Sequence, residues 1–142
     1  MSKAERLEQA NALIAVISRH GRQFFRNGES GTIARLELDG RGRVWWIDEY
    51  RGARIHTEKM MGCGHGWRGF SHGGTLRSLV ENLRDYIKRG DLLNPEFIAP
   101  SYLNSSYGDY WGYGKEAAAA VRAEAHQLPM FEQRAAAQEG HP

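Results

Sequence analysis

Between Ala34 and Glu58 the side chains change character at alternate positions and the chain turns back on itself twice, which restricts what it can fold into. Ala34, Leu36 and Leu38 share one face and Arg35, Glu37 and Asp39 the other, the period of two that a half-buried strand needs. Asp39-Gly40-Arg41-Gly42 offers glycine where a hairpin turn requires positive φ. Arg43 to Tyr50 is rich in β-branched and aromatic residues. After a tight turn at Arg51-Gly52, Ala53, Ile55 and Thr57 alternate with Arg54, His56 and Glu58. These spacings predict a three-stranded antiparallel meander with one apolar face to cover. Trp45 and Trp46 must point to opposite faces, so one indole needs cover away from the main core.

The cover comes from helical patterns on either side. Leu7, Ala10, Leu13, Ile14 and Ile17 form one face of a helix from about Lys3 to His20, with Ser2 and Glu5 as a capping box and Gly21 as a stop. Leu76, Leu79, Val80, Leu83 and Ile87 form the clearest amphipathic face in the chain, on a helix that opens at Thr75 and ends at Gly90. Pro95 and Pro100 follow, then a segment rich in Tyr, Gly, Ser and Asn from Ser101 to Gly114, then an alanine-rich helix from Lys115 to Ala125. The expected fold is α+β: an N-terminal helix, the meander, a second helix packed on the sheet, an aromatic loop and a third helix. Residues 1–126 are expected as one domain and 127–142 as a flexible tail. The order helix, meander, helix over residues 3–89 resembles a double-stranded-RNA-binding domain. That family carries a lysine-rich signature at the start of its last helix; here the run is His72-Gly73-Gly74-Thr75-Leu76-Arg77, without lysine.

Composition narrows the function classes. No stretch approaches the roughly 20 apolar residues of a membrane span, and the charged start Met1 to Arg6 is unlike a signal peptide. A lone cysteine, Cys63, forms no disulfide within the chain and suits a reducing cytoplasm. The net charge of +2 is unevenly spread, since residues 19–89 carry 14 Lys and Arg against 8 Asp and Glu. A basic body suggests an anionic partner such as nucleic acid, and ordinary surface charge is the alternative.

Four constellations are candidates for function. The peptide Gln127-Leu128-Pro129-Met130-Phe131 resembles the short Gln-Leu-x-Leu-Phe segment by which bacterial polymerases and repair proteins dock on the sliding clamp. That resemblance implies a polar anchor at Gln127 and apolar anchors at Leu128, Met130 and Phe131. The competing fate is that Leu128 and Phe131 fold back and cap the core. At the start of the second helix, Arg68, His72, Gly73, Gly74 and Arg77, with Arg54 from the meander, make an anion or nucleic-acid site, because helix N-terminal N–H groups and guanidinium groups both attract phosphate. Tyr107, Tyr110, Trp111 and Tyr113, with Tyr102, suit stacking on bases, contact with a protein, or covering the second sheet face. Cys63, His65, His72 and His56 have the residue types of a metal or thiol site without the paired spacing that marks zinc.

The reading these features support is a non-enzymatic accessory protein of DNA metabolism, with no cofactor and no metal. It would bind nucleic acid or another anionic surface through the basic body and the sliding clamp through the tail. Two alternatives stand beside it: an anti-defence or other protein-binding modulator of a mobile element, and a small enzyme using the loop from Cys63 to His72.

Overall fold

The computed structural model describes residues 1–20, 25–50, 52–58, 73–93 and 115–131. Helix α1 spans Lys3–Arg19 and begins with the expected capping box: the Ser2 hydroxyl accepts from the Glu5 N–H at 3.1 Å, and the Glu5 carboxylate accepts from the Ser2 N–H at 2.8 Å. Ala10, Leu13, Ile14 and Ile17 are buried, as their spacing requires, and Val16 and Ser18 join them. The helix closes at His20, whose N–H bonds back to Ile17 and Ser18, and Gly21 lies outside the described residues.

Strands β1 (Arg35–Leu38), β2 (Val44–Asp48) and β3 (Ala53–His56) form an antiparallel sheet in the order β1-β2-β3. The register aligns Leu36, Trp46 and Ile55 across the three strands, and all three are buried. It also aligns Arg35 with Ile47 and Arg54, and Glu37 with Trp45 and His56, on the opposite face. The strands are shorter than the alternation suggested. At the end of β2, Glu49 and Tyr50 enter the turn closed by the Gly52 N–H on the Asp48 carbonyl at 2.7 Å. Beyond β3 the Glu58 N–H leaves the ladder for His56 Nδ1 at 3.1 Å.

Helix α2 spans Gly73–Arg89 and opens two residues before the expected Thr75. Leu79, Val80, Leu83 and Ile87 are buried, and Tyr86 adds to their face. Gly90 ends the helix at φ +80°, a conformation that favours glycine, and its N–H bonds to the Tyr86 carbonyl at 2.7 Å. Arg84 is almost wholly buried; it donates to the Thr57 carbonyl at 2.7 Å and pairs with Asp85 at 3.0 Å, which fastens α2 to the end of β3. Helices α1 and α2 pack on the Leu36–Trp46–Ile55 face of the sheet.

Asn11 joins α1 to the sheet edge. Its side-chain amide donates to the Leu36 carbonyl at 3.0 Å and its oxygen accepts from the Leu36 N–H at 2.7 Å. In an antiparallel ladder alternate residues turn both backbone groups away from the neighbouring strand, and on β1 Leu36 is such a residue. Asn11 therefore takes the place of a fourth strand for one residue.

Helix α3 spans Lys115–Ala125 and buries Val121 and Ala125. The segment beyond it corrects the expectation of a free clamp-binding peptide. Met130 is 0% and Phe131 1% exposed, both within the main core, and Leu128 packs against that core. The Leu93 N–H donates to the Met130 carbonyl at 2.7 Å, and Leu93 forms a parallel bridge with Phe131. Burying a Met and a Phe side chain stabilises by about 1.5–3 kcal/mol each. Leu93 supplies a backbone partner that helps offset the entropy of ordering the segment. Of the four proposed anchors only Gln127 is exposed. Residues 132–142 lie outside the described residues.

Candidate functional site

The sheet face turned away from the helices carries an aromatic and cationic cluster centred on Trp45. The register sets His56 across from Trp45, and their rings meet edge-on with centroids 4.7 Å apart. Arg54, two residues earlier on β3, shares that face, and its guanidinium lies over the indole at 3.7 Å from the ring centroid. Arg43, just before β2 and two residues before Trp45, approaches the ring at 5.9 Å. A cation over an indole face is attracted by the ring quadrupole, so the pair holds its geometry without a carboxylate.

Asp39 fixes the ring from below. Its Oδ2 accepts from the Trp45 indole N–H at 2.9 Å and from Arg43 Nε at 2.7 Å, while Oδ1 accepts from the Arg41 and Arg43 backbone N–H groups, both at 2.9 Å. These donors, the indole first, hold the Asp39 carboxyl well below the usual carboxylate range. The turn supports this arrangement because Gly42 takes φ +78°, a conformation that lets Asp39 face residues 41 and 43 together. A Cβ on Gly42 would lie 3.8 Å from the Lys3 ammonium, which places that cation beside the turn.

Charge is unequal along this face. Arg35 is held between Glu49 at 2.8 Å and Glu37 at 3.2 Å, so that end neutralises itself. Around Trp45 lie Arg43, Arg54 and His56, with the carboxylate of Asp39 bonded to the indole and Glu37 directly across in the register, and Lys3 stands beside the turn. Arg41 and Arg54 are exposed and make no ion pair among the described residues.

The structure separates groups that the sequence reading had joined. Arg54 lies on the Trp45 face of the sheet, whereas Arg77 lies on α2 and pairs with Glu81 at 3.3 Å. Gly73 and Gly74 form the first turn of α2, while Arg68 and His72 lie outside the described residues. So do Cys63 and His65, and so do Tyr102, Tyr107, Tyr110, Trp111 and Tyr113. Of the outward and inward tryptophans, Trp46 is the buried one, and Arg54, Arg43 and His56 line Trp45. Among the described residues no three His, Cys, Asp or Glu side chains gather as metal ligands would. No helix among them is long and apolar enough to cross a membrane.

The chain belongs to the YoqU family, whose model matches residues 1–137. It is similar to the SPbeta prophage-derived uncharacterized protein YoqU of Bacillus subtilis (strain 168), with 26% identity over 132 residues, covering 90% of this chain and 84% of that protein. No solved structure matches it.

Proposed function

We propose that this protein is a nucleic-acid-binding accessory protein of a mobile genetic element, and that the open sheet face around Trp45 takes a single strand. The observation that carries this reading is the Arg54 guanidinium lying 3.7 Å over the Trp45 ring on an exposed strand. Stacked in this way, the planar cation presents its outer side to a base, while its edge N–H groups reach phosphate. Lys3, Arg41 and Arg43 add positive charge along the adjoining turn. The prophage origin of the similar Bacillus protein supports the mobile-element part of the reading. The chemistry is binding, with no bond made or broken.

The test is the affinity of the full chain for a fluorescein-labelled single-stranded 12-mer, in DNA and RNA forms, across a salt series. Stacking contributes about 1–3 kcal/mol per base. Trp45→Ala should therefore weaken binding roughly 5- to 100-fold. Arg54→Ala should also weaken it and reduce the salt slope by about 1. Affinity unchanged in both variants would remove the sheet face as the interface.

A further inference from the structure

Residues 27–31 form the turn between Arg26 and Ile33, which pair as an antiparallel bridge. The turn is built on the side chain of Asn27, and the residue that follows it is Gly28. We propose that Asn27 is a self-modification site, at which the Gly28 backbone nitrogen attacks the side-chain amide and the residue becomes aspartate or isoaspartate.

The step needs only hydroxide and water. The Gly28 nitrogen gives its proton to hydroxide and bonds to Asn27 Cγ. The Cγ–Nδ2 bond breaks, and the nitrogen takes a proton from water and leaves as ammonia, which restores the hydroxide. The product is a five-membered imide. Water then opens it at one of its two carbonyl carbons, giving aspartate or isoaspartate, and nothing is oxidised or reduced.

The turn favours each part of this step. Negative charge develops on Oδ1 as the bond to Cγ forms, and Oδ1 already accepts from the Glu29 N–H at 2.8 Å and the Ser30 N–H at 3.0 Å. Donors fixed in advance at a developing oxyanion lower its energy without reorganising. The Gly28 N–H makes no hydrogen bond among the described residues, so its deprotonation gives up none there. Gly28 is exposed, and a Cβ on it would meet nothing within 4 Å, so hydroxide and water reach the site. The departing Nδ2 is held by one long bond, to the Glu49 carbonyl at 3.4 Å.

The reacting atoms are also kept together. The Asn27 N–H donates to the Thr32 carbonyl at 2.9 Å, and its carbonyl accepts from the Gly31 N–H at 3.0 Å, with Gly31 at φ +76°. The bond from the Glu29 N–H to Oδ1 closes a ring that contains both Cγ and the Gly28 nitrogen. Holding the two ends of a reaction in one small ring raises its rate. Asn11 and Asn82 lie inside α1 and α2, where the next backbone N–H belongs to the helix ladder. The aspartate product keeps the Oδ1 acceptor and loses the donor to Glu49. The isoaspartate product adds a carbon to the backbone between the bridged Arg26 and Ile33.

Incubation of the full chain at mildly alkaline pH tests this, with tryptic peptides read by mass spectrometry. Cleavage after Arg26 and Arg35 isolates residues 27–35, which contain no other asparagine. That peptide should gain the mass change of NH2 to OH before those carrying Asn11 or Asn82. The folded chain should convert at least as fast as the chain unfolded in guanidinium chloride at the same pH. Isoaspartate methyltransferase should label the product, and Gly28→Ala should slow its formation. The proposal is overturned by slower conversion in the folded chain, by Asn11 or Asn82 converting equally fast, by aspartate without isoaspartate, or by an unchanged rate in Gly28→Ala.

Discussion

Trp45 and Trp46 are chain neighbours with the same side chain, and the sheet gives them opposite work. Trp46 is 0% exposed, meets Phe25 edge-on and lies in register with Leu36 and Ile55 beneath the helices. Among the described residues the neighbours of Trp45 are Asp39, Arg43, Arg54 and His56, and its indole N–H is held by a carboxylate. Burial against apolar groups stabilises the fold wherever it occurs. A ring held in place by charged groups contributes less to stability and stays available to a ligand. The pleat alone makes this division, because adjacent residues on a strand face opposite ways.

The comparison breaks or sharpens under substitution. Trp46→Ala should cost about 3–5 kcal/mol in urea unfolding, and Phe131→Ala a similar amount. Loss below about 1 kcal/mol for Trp46 would mean that the covered face does not hold the fold. An unchanged Tm in Phe131→Ala would return residues 128–131 to the surface. Asn11→Ala removes both bonds to Leu36 and should cost about 1–3 kcal/mol, with Asn11→Asp, which keeps the acceptor, losing less. Trp45→Ala should cost about 1 kcal/mol or less while weakening nucleic-acid binding as stated above. A loss as large as that of Trp46 would erase the distinction between the faces.

The smallest effect concerns acid. Asp39 has a folded pKa held below its unfolded value, so its contribution is present above about pH 4 and is lost as pH falls through the folded value. The stability gap between the parent and Asp39→Asn should be widest near neutral pH and shrink in acid. A gap that grows in acid would show that the Asp39 charge is not what the turn uses.

Some of this is legible in the residues. The capping box, the buried faces of α1 and α2, the three strands and the third helix all follow from spacing, because each depends on neighbours within a turn or two. Asn11 is not legible: it looks like one polar residue on a helix until β1 is laid beside it. Arg54 reads as a surface cation until the register sets it diagonally from Trp45. The hairpin turn that sets that register is visible, so the stack could have been found by pairing strands before looking for sites. The segment Leu128–Phe131 suits a partner's groove and its own core equally well by composition. Leu93, which decides between them, is 37 positions before Met130 in the chain. Pattern reading works over short separations and says little over long ones.

The bridge between Leu93 and Phe131 also sets an order of events during synthesis. Residues 3 to 90 contain α1, α2 and all three strands of the sheet, yet the space that Met130 and Phe131 fill stays open until they leave the ribosome. A nascent chain therefore exposes part of its apolar interior until translation passes residue 131, a stage at which chaperones and proteases have access. Premature termination before Met130 would leave α1, α2 and the sheet without the side chains that fill this part of the core. Such a product would present apolar core surface to solvent, the kind of surface that makes incomplete chains prone to aggregate.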